Sequence, residues 1–441
     1  MRRIFCCLRP APVSTSSKIL KRAAIFSKSL SKRSSAHRTT AKRRSKAVAA
    51  IDRTDKSVLG RWWWTVDRWQ MAAVFALALA GMILVMAASP AVADRLGLPP
   101  FHFVIRHGIF LLPALALMLG LSFLKTRNIW RAASLLLAGC FPLLVGVLLF
   151  GPEIKGASRW IHVFGFSLQP SEFIKPAFAV TAAWLLARRH ADPRFPGMAA
   201  ATALYALLLG LILMQPDFGM SVVLSLIWGV QIFLAGLPFA MILALLFFGI
   251  GGVVAAYAVF PHVKNRIDRF IDPASGDNYQ VQKSLESFYE GGLFGTGPGE
   301  GHIKLYLPDA HADFIFAVAG EEFGLILTLL LIVLFAFIVL RGAARAWDSG
   351  DAFRILAVTG LMMQFGAQAL IHMGSSLQLI PAKGMTLPFV SYGGSSLLSL
   401  GIAMGFVLAL TRKESDSTVF PSSRPQSAPT IRAAAPFFKT N

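Results

Sequence analysis

The sequence predicts an all-α polytopic membrane protein with about ten transmembrane helices and a large extracytoplasmic loop between the seventh and eighth. Three observations predict it. The 441 residues are 55% hydrophobic and only 15% charged, with mean hydropathy +0.60, where soluble domains run at about 25% charged. Ten apolar runs approach the roughly 20 residues that cross a bilayer. Lys and Arg recur in alternate connections between those runs, as the positive-inside rule requires.

Ahead of the first run stands a basic arm, residues 1–69. Residues 1–70 hold 18 of the 43 Lys and Arg against Asp52, Asp55 and Asp67, so +15 of the net +21 lies there. A nucleic-acid role read from the pI of 10.5 therefore fails, because the excess belongs to one Ser-, Lys- and Arg-rich segment. Such a composition suits a disordered cytoplasmic arm held against anionic headgroups of membrane lipids. It also shares features with organelle transit peptides. No cleavable signal peptide is read, since the first long apolar run follows residue 70. Cys6, Cys7 and Cys140 form no spaced framework, so neither a disulfide scaffold nor a zinc site is indicated.

The predicted spans are 71–93, 104–124, 131–150, 170–187, 197–214, 219–235, 238–259, 313–340, 353–374 and 392–411. Between the fifth and sixth stands "QPDFG", where Pro216 breaks one helix and Asp217 caps the next. Trp62, Trp63, Trp64 and Trp69 fit an aromatic belt at the inner edge of the first span. Lys125, Arg127, Arg131, Arg188, Arg189, Arg194, Arg341, Arg345, Arg354, Arg412 and Lys413 share one face if both termini are cytoplasmic. A short tail, 412–441, closes the chain on that face. The other face receives 151–169, 260–312 and 375–391.

The large loop, 260–312, holds the Gly-rich "EGGLFGTGPGEG", a weak match to a phosphate-binding loop because no Lys-Ser/Thr follows. Residues 279–290 read as an amphipathic helix with Val281, Leu285 and Phe288 on one side. That stripe fits a helix on the membrane surface and equally a plain loop helix.

Three polar constellations fall on the outer face. In "YLPDAHADFIFAVAGEEFG", Asp313 stands at the mouth of the eighth span with His311 two residues before it. A partly desolvated carboxylate there suits general-base work, and an N-cap aspartate is the bland alternative. Glu321 and Glu322 lie about 12 Å further along the helix. Intramembrane acids are functional candidates, and a structural ion pair competes with that reading. In "GASRWIHVFGFSLQPSEFIKPAFAV", Arg159 sits in a loop while Glu172 and Lys175 share a helix face. They could serve an anionic substrate or simply pair with each other. In "PAKGMTLPFVSYGGSS", Lys383 and Ser391 belong to a stretch whose Pro and Gly forbid a regular helix. Irregular backbone at membrane depth is tolerated only beside protein or a water-filled cavity, so a re-entrant segment is expected. These groups together favour a lipid-linked anionic substrate, and residue types alone leave transferase and transporter open.

The stretches "GASRW…QPSEFIK", "QPDFG", "YQVQKSL…GGLFGTGPGEG", "LPDAHADFIFAVAGEEFG" and "PAKGMTLPFVSYGGSS" run in this order between residues 70 and 411. They resemble the SEDS family of peptidoglycan glycosyltransferases, the FtsW and RodA proteins. "LPDAHADF" and the loop before it are nearer the cell-division branch, FtsW, with RodA as sister. The resemblance implies polymerisation of lipid II at the outer face of the bacterial inner membrane during septal synthesis. Strands grow by β-1,4 glycosyl transfer with release of undecaprenyl diphosphate. Asp313 matches the aspartate of the family's "HTDF" and becomes the catalytic base for the acceptor GlcNAc 4-hydroxyl. Arg159, Lys175 and Lys383 become candidates for the diphosphate, Glu172 orients Lys175, and His311, Glu321, Glu322 and Ser391 bind or support. Four departures from the family pattern stand out: Ala312 for Thr, His372 for Asn, Ser375–Ser376 for Val-Asn and Ala382 for Thr. None touches Asp313.

By the same resemblance the partners are a class B penicillin-binding transpeptidase and other division proteins. No metal-ligand cluster is visible, and a divalent cation, Mg or Mn, bridging Asp313 and the diphosphate is compatible with the pattern. A lipid II flippase and a non-catalytic division scaffold are the competing functions. The flippase reading is weakened because no inverted repeat or matching pair of broken helices is visible.

Overall fold

The computed structural model describes residues 57–152, 158–163, 165–237, 239–259, 264, 267–268, 279–381 and 384–413. Most of the basic arm, most of 260–278, Lys383 and the tail after Lys413 lie outside the described residues. The chain divides after Trp64, within the last turn of α1 (Val58–Thr65), where Trp62 and Trp63 are tilted at 6.2 Å.

Among the described residues of the second unit the regular elements are helices and one hairpin. In order it holds α2 (Arg68–Arg95), α3 (His102–Leu121), α4 (Thr126–Phe150), β1 (Ile161–Val163), β2 (Phe166–Leu168), α5 (Pro170–Ala191), α6 (Gly197–Met214), α7 (Phe218–Leu234), α8 (Phe239–Val259), α9 (Tyr279–Gly291), α10 (Ile315–Trp347), α11 (Ala352–Ser376) and α12 (Gly394–Leu410). β1 and β2 pair antiparallel, Ile161 opposite Leu168. Each of the ten predicted spans coincides with a helix, and α10 runs seven residues past its predicted end. Among the described residues six helices are long and apolar enough to cross a membrane: α2, α3, α4, α6, α10 and α11. The apolar α7 and α12 are shorter. The chain is a multi-pass membrane protein.

Burial ranks the helices. Along α5 nearly every residue from Pro170 to Ala187 is buried, so it is a central helix packed against α4, α6 and α11. α11 and α12 are buried almost as completely, and α12 packs on α3. α2, α4 and α6 keep an apolar outer face, as lipid-facing helices do. A helix buried on all sides can carry Glu172 and Lys175 because neighbours, not lipid, surround them.

One end of the bundle gathers the basic residues predicted to share a face. Asp67 caps α2 and takes Arg341 Nε at 2.8–2.9 Å on both oxygens, with Arg345 Nε 3.1 Å away. Arg354 donates to Thr126 Oγ1 at 3.1 Å and Arg412 to the Ser122 carbonyl at 3.1 Å.

At the opposite end α10 is broken at Gly324 (φ 73°, ψ −168°), a backbone conformation open essentially to glycine. The Gly-rich loop fills the break: Leu325 and Ile326 amides donate to the Gly292 and Leu293 carbonyls, while Thr296 and Gly297 amides donate to those of Glu321 and Glu322. Backbone groups freed at membrane depth are thus satisfied by protein. α9 packs on α10, Phe288 against Phe316 at 5.6 Å, and Ser284 donates to the Ser376 carbonyl at 2.7 Å. The amphipathic helix read from the sequence is thus present, with Phe288 turned to the protein.

Candidate functional site

A cavity of about 440 Å³ lies where α3, the β1–β2 hairpin, α5, α7, the loop before α10 and the segment before α12 meet. Asp313, Arg159, Glu172 and His311, drawn from two of the sequence constellations, all line it, and Gly384, Thr386 and Tyr392 bring the third.

Asp313 is half-buried, and its amide donates to the Asp309 carbonyl at 2.9 Å. Asp309 holds the turn with φ 52°, a left-handed value that aspartate tolerates better than most residues. The cap position of α10 belongs to Phe314, so the N-cap reading of Asp313 is corrected: its carboxylate reaches the cavity instead. Opposite stands Gly384, where a β-carbon would lie 3.0 Å from Asp313 Oδ2.

Gly384 opens the predicted re-entrant segment, irregular from 384 to 393. Met385, Leu387, Phe389 and Val390 are buried, and Phe389 packs on Phe365 of α11 at 6.4 Å. A β-carbon at Gly81, mid-way along α2, would collide with the Phe389 carbonyl. The segment therefore reaches the middle of the bundle, and only glycine admits it there.

His311 is 5% exposed, its ring 4.0 Å from Phe103 and 5.2 Å from Tyr392, and its carbonyl takes the Tyr392 amide at 3.0 Å. Burial lowers its pKa from 6.5 to about 4; Arg95 adds to the shift and Asp309 opposes it. The ring is neutral near pH 7, so His311 contributes shape and a polar edge to the cavity rather than charge.

Arg159 is committed to the "QPDFG" turn. It donates to the Gln215 carbonyl at 3.0 Å and the Pro216 carbonyl at 2.5 Å, with Asp217 Oδ2 at 3.8 Å. Asp217 caps α7 through Met220, as its position in the sequence predicts, and also accepts from Gln169 at 3.3 Å. Its place in the cavity wall was not read from the sequence.

Lys175 is 1% exposed and does not line the cavity; it joins Glu172 at 2.8 Å and Gln368 Oε1 at 3.0 Å. Glu172 does line the cavity, so the pair links the wall to the core. Ser391 is buried behind the wall, accepting from the Leu387 amide at 2.8 Å. Lys383 lies outside the described residues.

Glu321 and Glu322 do not line the cavity. Glu321 accepts from the Ile303 and Lys304 amides at 2.6 and 2.9 Å. Glu322 pairs with Lys304 and accepts from the Gly299 amide at 3.2 Å. Both hold the loop before α10, and the one ion pair among these contacts is made by Glu322 to Lys304 of that loop, not to a neighbouring helix.

Sequence reasoning missed Arg106. It stands on α3 in the cavity wall, donates to the Gly165 carbonyl at 3.4 Å and forms no ion pair among the described residues. The signal was present, as an arginine inside an apolar run. Arg106, which forms no ion pair among the described residues, can take an anion in a cavity whose wall also carries the carboxylates of Glu172, Asp217, Asp309 and Asp313. Among the described residues no three His, Cys, Asp or Glu side chains gather at metal-binding distance.

Residues 68–416 match the family model for cell cycle proteins of the FtsW, RodA and SpoVE type. The probable peptidoglycan glycosyltransferase FtsW of Caulobacter vibrioides is 43% identical over 370 residues, covering 84% of this chain and 95% of the relative. That of Coxiella burnetii is 36% identical over 366 residues, covering 79% and 96%. Among solved structures, a chain from a peptidoglycan synthase complex that coordinates polymerization and crosslinking superposes with TM-score 0.65 at 27% identity, covering 78% of this chain and 97% of that one. The rod shape determining protein RodA of Thermus thermophilus superposes with TM-score 0.58 at 27% identity, covering 79% and 97%. The chain belongs to the FtsW/RodA/SpoVE family of cell cycle proteins.

Proposed function

We propose that this protein is a peptidoglycan glycosyltransferase of the bacterial inner membrane, with both termini cytoplasmic. It polymerises lipid II into β-1,4-linked glycan strands with release of undecaprenyl diphosphate during septal wall synthesis. The observation that carries this reading is Asp313 opening onto one cavity with Arg106 and Arg159. The names of the FtsW relatives support the reaction class.

In the step itself the acceptor GlcNAc 4-hydroxyl gives its proton to Asp313 as its oxygen bonds to the donor's anomeric carbon. The bond from that carbon to the diphosphate breaks, and the diphosphate leaves with the electron pair. Arg106 and Arg159 offset the charge that develops on it. Asp313 then returns its proton to water at the cavity mouth. General-base assistance contributes about 10²–10⁴-fold. A divalent cation, were one bound, would be held by Asp313 and would neutralise charge on the diphosphate.

The partner is a class B penicillin-binding transpeptidase, with other division proteins around it; likeness to a chain of a synthase complex supports a crosslinking partner. The test is polymerisation of purified lipid II by wild type and Asp313→Asn, each co-purified with a transpeptidase whose acylation site is disabled. Polymer from wild type and a loss of 10²-fold or more in a folded variant is expected. Equal polymer from both removes Asp313 as the base. No polymer from either moves the protein to the flippase or scaffold class.

A further inference from the structure

Gln368 and His372 stand one helical turn apart on α11, both 0% exposed, and each holds a carbonyl of the re-entrant segment. Gln368 Nε2 donates to the Thr386 carbonyl at 3.1 Å. His372 Nδ1 donates to the carbonyl of Met385, the residue before it, at 2.6 Å. A carbonyl oxygen only accepts, so the His372 ring carries its hydrogen on Nδ1.

The Gln368 side chain and the His372 backbone are themselves held, while His372 Nε2 is buried without a hydrogen-bond partner. Gln368 also reaches Thr386 Oγ1 and Ser396 Oγ at 3.1 Å each and takes the Lys175 ammonium on Oε1 at 3.0 Å. The His372 carbonyl receives the Ser375 and Ser376 hydroxyls at 2.9 and 3.0 Å. Gly384, next along the segment, is the residue that faces Asp313. A segment without helix or sheet has no ladder of its own to fix its depth, so its carbonyls must be fixed by side chains.

We propose that Gln368 and His372 are positioning residues. By gripping two consecutive carbonyls they set the depth and register of residues 384–387, and through Gly384 they set the surroundings of the Asp313 carboxylate. The catalytic consequence rests on Asp313 acting as the base; the grip on the segment does not.

The test has two readouts in the full chain with its partner. The first is lipid II polymerisation by His372→Phe and Gln368→Met, which keep volume but remove the donors, and by His372→Asn, which keeps an N–H. Expected for the first two is a fall in kcat of about 100-fold with KM little changed, as for a small misplacement beside the chemistry. The acid limb of the kcat profile also moves, while His372→Asn retains most of the rate. Wild-type kcat and pH profile in both donor-less variants overturn the proposal, as does a loss that only follows the folded fraction.

The second readout needs no activity. A Met385→Cys probe, with Cys6, Cys7 and Cys140 replaced by Ser, is alkylated by a water-soluble maleimide. Faster alkylation in the His372→Phe and Gln368→Met backgrounds is expected; unchanged rates overturn the clamp. If alkylation changes while wild type makes no polymer, the clamp stands and the glycosyltransferase reading falls.

Discussion

Gly384 faces Asp313 so closely that a β-carbon at residue 384 would lie 3.0 Å from the carboxylate Oδ2, tighter than ordinary van der Waals contact. Gly384 itself is exposed, so enlarging it touches the carboxylate rather than the core. Gly384→Ala should lower kcat with thermal stability intact, and Gly384→Val should lower it by about 100-fold. Lipid II polymerisation beside thermal unfolding in detergent checks this. Wild-type kcat in the valine variant would show that the contact has no bearing on the carboxylate.

The Lys304–Glu322 pair is a matter of stability. Lys304 is 6% and Glu322 0% exposed in their side chains, so Lys304→Met leaves an uncompensated buried carboxylate. The expected cost is about 3–5 kcal/mol, and Lys304→Met with Glu322→Gln should recover much of it. Unfolding midpoints of both variants decide the matter. Polymerisation per folded molecule should hardly change, because neither residue lines the cavity. A collapse of kcat in a fully folded Lys304→Met protein would return these acids to the reaction.

Arg106 and Arg159 should fail differently. Arg106 spends only one long hydrogen bond on the fold, at 3.4 Å, so Arg106→Ala should keep its stability and lose about 10- to 100-fold in kcat/KM, the worth of a charge-assisted contact. Arg106→Lys should recover part of this, since it keeps the charge but not the fork. Arg159 holds two carbonyls of the "QPDFG" turn, so Arg159→Ala should lower both the unfolding midpoint and kcat/KM. Equal stability loss in the two alanine variants would contradict the division of labour.

The helices were legible because an apolar run of span length has few other uses, and the re-entrant segment because Pro and Gly interrupt such a run. Asp217 was legible as a cap for the same local reason: its partner, the Met220 amide, is three residues away. What each charge faces was not legible. Glu321, Glu322 and Asp313 look alike along the chain, yet only Asp313 meets the cavity. The partner of Glu322, Lys304, is 18 residues back, across glycines whose positive φ values fold the loop onto α10. Lys175 finds Gln368 193 residues away, a distance no local pattern reports. Arg106 was passed over because one arginine in an apolar helix could face lipid headgroups or a cavity, and the packing of α3 decides between them.

His311 sets a pH dependence whose direction follows from its burial. Held between Phe103 and Tyr392, its ring has a pKa of about 4 against the ordinary 6.5. Between those values the unfolded chain binds a proton that the folded chain refuses, so stability is full above pH 6.5 and falls as pH drops toward 4. The whole fall is about 3 kcal/mol for a ring 5% exposed. His311→Asn, which cannot titrate, should lose that part of the slope. Unfolding midpoints in detergent from pH 7.5 down to 4 for both proteins measure it, and coincident slopes would mean that His311 is not held neutral by burial. Because the ring does not change charge near neutrality, an acid limb of the polymerisation rate in that range must arise elsewhere in the cavity. It should survive in His311→Asn and vanish with Asp313→Asn if Asp313 takes the proton.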